Sequence, residues 1–174
     1  MAPVDPQVLI RAARPGDEGV LLALFGELAE YEHLEHEMRA TEERLREALF
    51  SERPAAEALI AELGEETVGY ALFFRTFSSF LALEGVWLED LFVRPAHRGA
   101  GVGRALLASV AARAREQGGE RLEWAALDWN ELALGFYRRL GAHTMDEWIT
   151  HRLHGDALER VAGGAPDGAD GERR

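Results

Sequence analysis

The sequence predicts an α/β (α+β) fold in which a mostly antiparallel sheet is flanked by helices. Two observations support this prediction: strand-like runs come in adjacent pairs, and runs with a helical spacing of apolar residues stand between them. A chain of 174 residues can bury one sizeable core, so residues 1–162 are predicted to form a single domain. Residues 163–174 are rich in Gly and Asp and have no apolar anchor, which predicts a disordered tail.

The first half of the chain contains two predicted helices and four predicted strands. Residues 8–13 alternate weakly before the turn sequence RPGD, which indicates a strand. Asp17 is a favourable helix N-cap, and the apolar face that follows predicts a helix to about Glu32. A second helix is predicted from Thr41. The segment EALIAELGEETVGYALFFRTF contains two strand-like runs joined by GEE, which predicts a hairpin, and another strand is predicted at about residues 85–93.

The second half begins with a glycine-rich turn and a predicted helix that ends at Gly118. The run RLEWAAL predicts a fifth strand. Asn130 is a favourable cap for the helix ELALGFYRRL, which Gly141 ends. A final pair of strands is predicted within residues 142–153.

Composition narrows the classes of function. The formal net charge of −12 disfavours binding to nucleic acid and favours a cationic substrate. The chain has no cysteine, which excludes disulfides, thiolate metal sites and a cysteinyl acyl-enzyme. The first residues lack a signal-peptide pattern, and no apolar run is long enough to span a membrane, so a cytoplasmic location without membrane attachment is predicted.

Three glycines stand at alternate positions in the turn HRGAGVGRALL, namely Gly99, Gly101 and Gly103. A dinucleotide-binding fingerprint would need Gly or Ala where the two possible registers have Arg104 and Leu106, and a P-loop would need Gly-Lys-Ser/Thr. Both motifs are therefore excluded. The remaining readings are an anion site formed by backbone N–H groups at a helix N-terminus, and a turn that only permits close helix packing.

The anion reading is favoured by the charges around the turn. Residues 94–104 contain no acidic residue, although the chain as a whole is strongly acidic. Four basic side chains stand there: Arg94, His97, Arg98 and Arg104.

The segment from Arg98 to Gly103 resembles the Arg/Gln-x-x-Gly-x-Gly/Ala pyrophosphate loop of the GNAT superfamily of N-acetyltransferases. The resemblance extends to the diamine (spermidine/spermine) acetyltransferase-like branch through ELAEYE, LEDLFV, DWNE and GFYRRLGA, and it covers about residues 8–153. It implies a GNAT fold with a central mixed, mostly antiparallel twisted sheet of about six to seven strands and about four helices. It also implies acetyl-CoA as cosubstrate, a small cationic amine as acceptor and a homodimer.

The same resemblance implies roles for individual residues. The pantetheine arm would contact backbone groups of Leu91, Phe92 and Val93, and the pyrophosphate would bind at Arg98, Gly99, Ala100, Gly101, Val102, Gly103 and Arg104. Asn130 would contact the cofactor, and Tyr137 corresponds to the general acid. The amine site would include Tyr31, Glu32, Glu89, Asp90, Trp129 and Glu147.

Amine acetylation needs a group that binds the ammonium and removes a proton, because an alkyl amine has a pKa of about 10.4. Glu89 is the predicted catalytic carboxylate. Glu89 and Asp90 are neighbours, so on a regular strand they would face opposite sides, and only a bulge would bring both into one cleft. A plain structural role for this pair, and a core role for Tyr137, are the alternatives.

Other functions stay open at this point. A non-catalytic acyl-CoA sensor on the same fold would not need Tyr137, and a protein N-terminus or a drug amine are alternative acceptors. The loop RTFSSFLALEGVW has Ser78, Ser79 and Phe80 where polyamine-acetylating enzymes tend to have an acidic residue and a tryptophan, so a shorter diamine or a lysine-like or thialysine-like amine is about as plausible as a polyamine. His33 and His36 have no suitable third ligand, and no metal site is predicted.

Overall fold

Five strands form one sheet in the order β1-β2-β3-β4-β5 in the computed structural model, which describes residues 8–164. They are β1 (Val8–Ala12), β2 (Glu57–Leu63), β3 (Glu66–Ser78), β4 (Leu83–Val93) and β5 (Leu122–Trp124). The first four pair antiparallel in sequence, and β5 pairs parallel to β4. The predicted mixed, mostly antiparallel sheet is confirmed, but the described residues contain five strands rather than six to seven.

The described helices number five, one more than predicted. They are α1 (Glu18–Glu32), α2 (Glu42–Phe50), α3 (Val102–Glu116), α4 (Glu131–Arg139) and α5 (Gly155–Ala162). Two 3-10 turns, Glu35–Glu37 and Pro95–His97, follow α1 and β4 respectively.

Side-chain caps begin α2 and α4, of which the Asn130 cap was predicted. The hydroxyl of Thr41 accepts a hydrogen bond from the amide of Arg44 at 3.2 Å, and the side-chain oxygen of Asn130 accepts one from the amide of Ala133 at 3.1 Å. Each bond satisfies an amide that the first helical turn leaves without a partner. The sequence therefore determines these two helix starts locally.

Asp17 stands at the predicted N-cap of α1, but its carboxylate does not cap the helix. The carboxylate instead accepts two hydrogen bonds from the guanidinium of Arg11, at 2.7 and 3.0 Å, and one from the amide of Arg14 at 2.8 Å. A bidentate pair with arginine is stronger than a neutral cap. The hydrogen bonds from Arg11 therefore connect the start of α1 to β1, and the Asp17 side chain does not cap the helix.

The sheet is covered by helices on both faces. On one face, α1 and α2 pack through Leu21, Leu24, Leu45 and Leu49 against a cluster that includes Ile60, Tyr70 and Phe92. Alternation along β3 directs Ala71 and Phe73 to the opposite face, where α3 contacts the strands. The buried residues of α3 are Val102, Leu106, Leu107, Val110 and Ala114.

The predicted strand pair in residues 142–153 is wrong. That segment has no regular structure apart from a turn at residues 146–147, and an unpredicted helix, α5, follows it. Its apolar side chains are exposed, including those of Trp148 and Ile149. Apolar alternation suggests a strand, but a strand also needs a partner to satisfy its backbone groups, and no described strand pairs with this segment.

The described residues fall into two compact units that divide between Ala125 and Ala126. The first contains the sheet with α1, α2 and α3, and the second contains α4 and α5. The prediction of one domain over residues 1–162 stays a prediction. Of the predicted tail, the backbone N–H groups of Gly163 and Gly164 donate hydrogen bonds to the carbonyls of Glu159 and Val161 at the end of α5. Residues 165–174 lie outside the described residues.

Candidate active site

The glycine-rich turn joins β4 to α3 in a conformation that requires glycine at two positions. Gly99 has φ +84° and Gly101, the N-cap of α3, has φ +82°, both in the left-handed region. A Cβ added at either position would meet no atom of residues 8–164 within 4 Å, so the space beside each glycine is open in this part of the chain. Gly99, Ala100 and Gly101 are exposed, and Val102 anchors the helix start in the core. The turn therefore presents accessible backbone amides at the N-terminus of a helix of 15 residues.

Two of the basic residues near the turn contact carboxylates of other elements. The guanidinium of Arg94 binds both carboxylate oxygens of Glu27, at 2.7 to 3.0 Å, and the imidazole of His97 lies 3.3 Å from the carboxylate of Glu66. Glu27 and Glu66 are distant in sequence, so the local excess of basic residues did not reveal these partners. The structure shows that Arg94 and His97 join the end of β4 to α1 and β3.

Arg98 also points back into the protein. Its Nε donates a hydrogen bond to the carbonyl of Val93 at 2.9 Å, and its guanidinium carbon lies 4.6 Å from the centroid of the Tyr31 ring. Arg104, by contrast, is exposed on the first turn of α3 and makes no hydrogen bond or ion pair with the described part of the chain. Of the four basic residues, Arg104 is the exposed one, whereas Arg94, His97 and Arg98 are half-buried.

The last residues of β4 extend beyond its pairing with β5. The parallel ladder runs only from Val86 to Leu88, because β5 ends at Trp124, whereas β4 continues to Val93. In the first unit, backbone groups of Leu91, Phe92 and Val93 on this edge have no strand partner. The side chain of Phe92 is buried, so a ligand along the edge would meet its backbone. The pantetheine contact that the resemblance implies at these residues stays a prediction.

A bulge in β4 brings Glu89 and Asp90 to one face. Asp90 pairs with Leu72 of β3, Leu88 pairs with Phe73, and Glu89 is the extra residue between them. The indole Nε1 of Trp87 donates to the carboxylate of Glu89 at 2.9 Å. Trp87 pairs with Phe74, two residues from Leu72, so Trp87 and Asp90 share a face, and the indole holds Glu89 on it.

A buried tyrosine on β3 donates a hydrogen bond to the carboxylate of Asp90. The hydroxyl of Tyr70, which is 0% exposed, donates to Oδ2 of Asp90 at 3.1 Å. Burial raises the pKa of Asp90 to about 6, the negative charges of Glu89 and Glu32 add to the rise, and the bond from Tyr70 opposes it. Burial also raises the pKa of Tyr70 well above 10, so this hydroxyl is a donor at neutral pH.

Glu32, the last residue of α1, completes a group of three carboxylates that we call the carboxylate cluster: Glu32, Glu89 and Asp90. Glu32 is half-buried, and its burial raises its pKa. Its negative charge contributes to the raised pKa of both Asp90 and Tyr70. The preceding residue, Tyr31, lies under Arg98. Four predicted amine-site residues of the first unit therefore come together at the end of α1 and the bulge of β4.

The other predicted site residues belong to the second unit. Asn130 caps α4, Trp129 and Glu147 are exposed, and Tyr137 is half-buried with its ring centroid 5.2 Å from that of Phe136. Their roles stay predictions.

Sequence reasoning missed Tyr70 and Trp87, which hold the two acidic residues of the bulge. One signal was present for Tyr70: a tyrosine inside the apolar strand VGYALFF must find a buried partner for its hydroxyl. No residue near Tyr70 in the sequence indicated that Asp90 is that partner. Within residues 8–164 no group of three His, Asp or Glu side chains is arranged to hold a metal ion. None of the helices described there is long and apolar enough to cross a membrane.

Comparison with known proteins decides the family. The model of the acetyltransferase (GNAT) family matches residues 22–142, which include the glycine turn, the carboxylate cluster and Tyr137. The chain belongs to this family. GNAT enzymes use acetyl-CoA as cosubstrate, and the prediction of an acetyltransferase is confirmed.

The similar GNAT proteins include enzymes that act on small amines. The chain is 38% identical to the thialysine N-epsilon-acetyltransferase of Bos taurus, over 90% of this chain and 98% of that protein. It is 31% identical to an L-ornithine N5-acetyltransferase of Arabidopsis thaliana, over 87% and 86% of the two chains. A human spermidine/spermine N(1)-acetyltransferase-like protein is 29% identical over 88% of this chain and 23% of its own length.

Solved structures agree with the fold. An integron cassette protein of Vibrio cholerae superposes with a TM-score of 0.75 at 28% identity and covers 89% of this chain and 97% of its own. A ribosomal-protein-alanine N-acetyltransferase of Brucella melitensis superposes with a TM-score of 0.65 at 22% identity, covering 86% of this chain and 100% of its own, which shows the shared fold alone.

Proposed function

We propose that this GNAT protein acetylates a primary amine of a small cationic substrate, of the thialysine, lysine or ornithine kind, by direct transfer from acetyl-CoA. The observation that carries the proposal is the carboxylate cluster, in which the bulge of β4 turns Glu89 to the same face as Asp90, near Glu32. Carboxylates in this region provide negative charge that an ammonium group can bind. The thialysine and ornithine acetyltransferases among the relatives support the same substrate class.

A short amine fits the β3–β4 hairpin better than a long polyamine does. In residues 75–87 the one acidic residue is Glu84, and its carboxylate lies 3.4 Å from the guanidinium of Arg75. At the tip of this hairpin the side chain of Phe80 is 94% exposed. A second ammonium group far from the carboxylate cluster would therefore find no free carboxylate on this hairpin.

Acetyl-CoA is proposed to bind along the edge of β4 and at the turn that follows it. Its pantetheine arm would lie against backbone groups of residues 91–93, and its pyrophosphate would accept bonds from the amides of Gly99 to Gly103 with Arg104 nearby. The open space above two left-handed glycines supports this assignment. Arg98, which the sequence assigned to the pyrophosphate, is proposed instead to support the turn through Val93 and Tyr31.

The reaction needs three proton transfers. The substrate ammonium gives one proton to a carboxylate of the cluster, and the free amine attacks the thioester carbonyl, so that a C–N bond forms and the C–S bond breaks. The CoA thiolate then takes a proton from the hydroxyl of Tyr137, which the resemblance identifies as the general acid. The second proton leaves the nitrogen as the neutral amide forms, and with it solvent restores the Tyr137 hydroxyl. The absence of cysteine is consistent with direct transfer.

The remaining parts of the proposal concern assembly and location. We expect a homodimer in the cytoplasm, and the exposure of Met145, Trp148, Ile149 and Leu153 supports a second copy that covers residues 145–153. Sedimentation at micromolar concentration should show a dimer. A monomer across that range would contradict this part alone.

The proposed function is tested by an acetylation assay over a panel of amines: thialysine, lysine, ornithine, spermidine, an aminoglycoside and a peptide with a free N-terminus. Release of CoA is followed with a thiol-reactive dye, and because the protein contains no cysteine, the signal comes from CoA alone. We expect the highest kcat/KM with thialysine, lysine or ornithine. Turnover confined to the peptide or the aminoglycoside would favour the alternative acceptors, and binding of acetyl-CoA without turnover would favour the sensor.

A further inference from the structure

We propose that Asp90, fixed by the hydroxyl of Tyr70, receives the proton from the substrate ammonium, and that Tyr70 is a positioning residue for this step. The proposal rests on the proposed function and refines it, because the sequence pointed to Glu89 as the catalytic carboxylate. The geometry of the bulge distinguishes the two acids.

Tyr70 is a rigid support for Asp90. Its ring is fully buried, with its centroid 4.8 Å from that of Phe25 on α1 and 6.3 Å from that of Phe92 on β4. A ring packed from two sides has one orientation, so its hydroxyl points at one place. That place is Oδ2 of Asp90, at 3.1 Å, which leaves Oδ1 without a partner among the described residues.

Glu89 has a different environment. It is exposed, and its carboxylate accepts a bond from the indole of Trp87, a half-buried side chain. An exposed carboxylate held by an indole donor can bind the ammonium as a cation. Asp90 is more buried and is faced by Tyr70 from β3, Glu89 from its own strand and Glu32 from α1, and none of these groups is a cation. Burial and the two neighbouring negative charges raise the pKa of Asp90 to about 6, which suits this carboxylate to accept a proton.

The proton balance is simple. The ammonium N–H bond breaks, the proton passes to the Asp90 carboxylate, and the amine keeps the electron pair with which it attacks the thioester. Asp90 then returns the proton to solvent before the next turnover. Because Tyr70 stabilises the charged form of Asp90, its hydroxyl also sets the pH at which Asp90 becomes a base.

The test is the pH dependence of kcat/KM in the parent and in Tyr70→Phe, with Trp87→Phe as the matched control. In the parent, the acid limb should fall at about pH 6, where Asp90 becomes protonated. Loss of the Tyr70 hydroxyl removes a bond to the carboxylate and should move the limb up by about one unit, which corresponds to about a fivefold loss at pH 6 and almost none at pH 8. Trp87→Phe removes the bond to Glu89 and should leave the limb in place.

The proposal would be overturned if the acid limb of the kcat/KM profile stays at the same pH in Tyr70→Phe. If the limb moves in Trp87→Phe instead, Glu89 is the carboxylate that takes the proton. A second readout is independent of activity: the titration of the Asp90 side-chain carboxyl carbon, followed by NMR in both proteins. The midpoint pH of this titration should be higher in Tyr70→Phe than in the parent, and an unchanged midpoint would refute the positioning role. If no amine is acetylated at all, the proposed function fails, while the NMR titration still decides whether Tyr70 controls Asp90.

Discussion

Arg98 lies across the ring of Tyr31, with its guanidinium carbon 4.6 Å from the ring centroid. Arg98 begins the turn proposed to hold the pyrophosphate, and Tyr31 stands next to Glu32 of the carboxylate cluster. This contact therefore connects the cofactor turn with the end of α1. A cation over an aromatic face is attracted by the negative face of the ring.

The first prediction concerns the stability of this connection. Arg98→Lys keeps the charge but loses the flat guanidinium and the Nε donor to Val93, so the free energy of unfolding should fall by about 1 to 2 kcal/mol. Urea unfolding measures this change. A variant as stable as the parent would show that neither contact contributes in solution.

Arg104 provides the contrasting prediction. It is exposed and makes no bond to the described part of the chain, so Arg104→Gln should leave the urea midpoint unchanged. The affinity for acetyl-CoA should fall by about fivefold, and the salt dependence of binding should weaken, because one charge near the phosphates is lost. Calorimetry at low and high salt measures both effects. Unaltered affinity at low salt would exclude Arg104 from the cofactor site.

Gly101 tests the backbone of the turn. Valine is strained at φ +82°, so Gly101→Val should displace the amides of the turn and weaken acetyl-CoA binding by one to a few kcal/mol. Gly64→Val is the matched control, because Gly64 has φ +64° and open space in the β2–β3 turn. Both variants should lose stability, but only Gly101→Val should lose affinity in calorimetry. Equal affinities in the two folded variants would contradict the pyrophosphate assignment.

Tyr137 separates an enzyme from a sensor. Tyr137→Phe keeps the ring that packs on Phe136 and removes only the hydroxyl. If this hydroxyl protonates the leaving thiolate, kcat should fall by about 10² to 10⁴ while the affinity for acetyl-CoA barely changes. Steady-state kinetics and calorimetry on the same preparation measure the two quantities. Full turnover in the variant would leave water as the proton donor.

Asp17 and Arg11 predict a pH dependence of stability. The hydrogen bonds from Arg11 hold the pKa of Asp17 below its usual value of 3.8. A lowered pKa means that the folded state favours the ionised form, so the stabilisation is complete above about pH 4 and is lost as the pH falls further. Asp17→Asn should therefore cost about 1 to 3 kcal/mol in urea unfolding at pH 7, and the difference should shrink below pH 4. A constant difference down to pH 3 would exclude the ionised pair as its source.

Elements that depend on neighbouring residues alone were predictable from the amino-acid sequence. Thr41 and Asn130 cap helices by accepting hydrogen bonds from amides three residues away. Gly99 and Gly101 adopt left-handed φ angles because glycine has no Cβ. The hairpin of β2 and β3 follows from alternation and a short turn. Motif order also identified the family, because the glycine turn, LEDLFV and GFYRRLGA carry it without any structure.

The tertiary structure decided what depends on residues distant in sequence. The bulge at Glu89 is a property of the pairing between β3 and β4, and the bond from Tyr70 to Asp90 spans 20 positions. Arg94 has no acidic neighbour in the turn sequence, but its guanidinium binds Glu27, which is 67 positions away. Residues 142–153 failed as strands because a local pattern cannot supply a pairing partner. Local rules describe one segment at a time, whereas the energies of buried carboxylates and ion pairs depend on which segments the fold brings together.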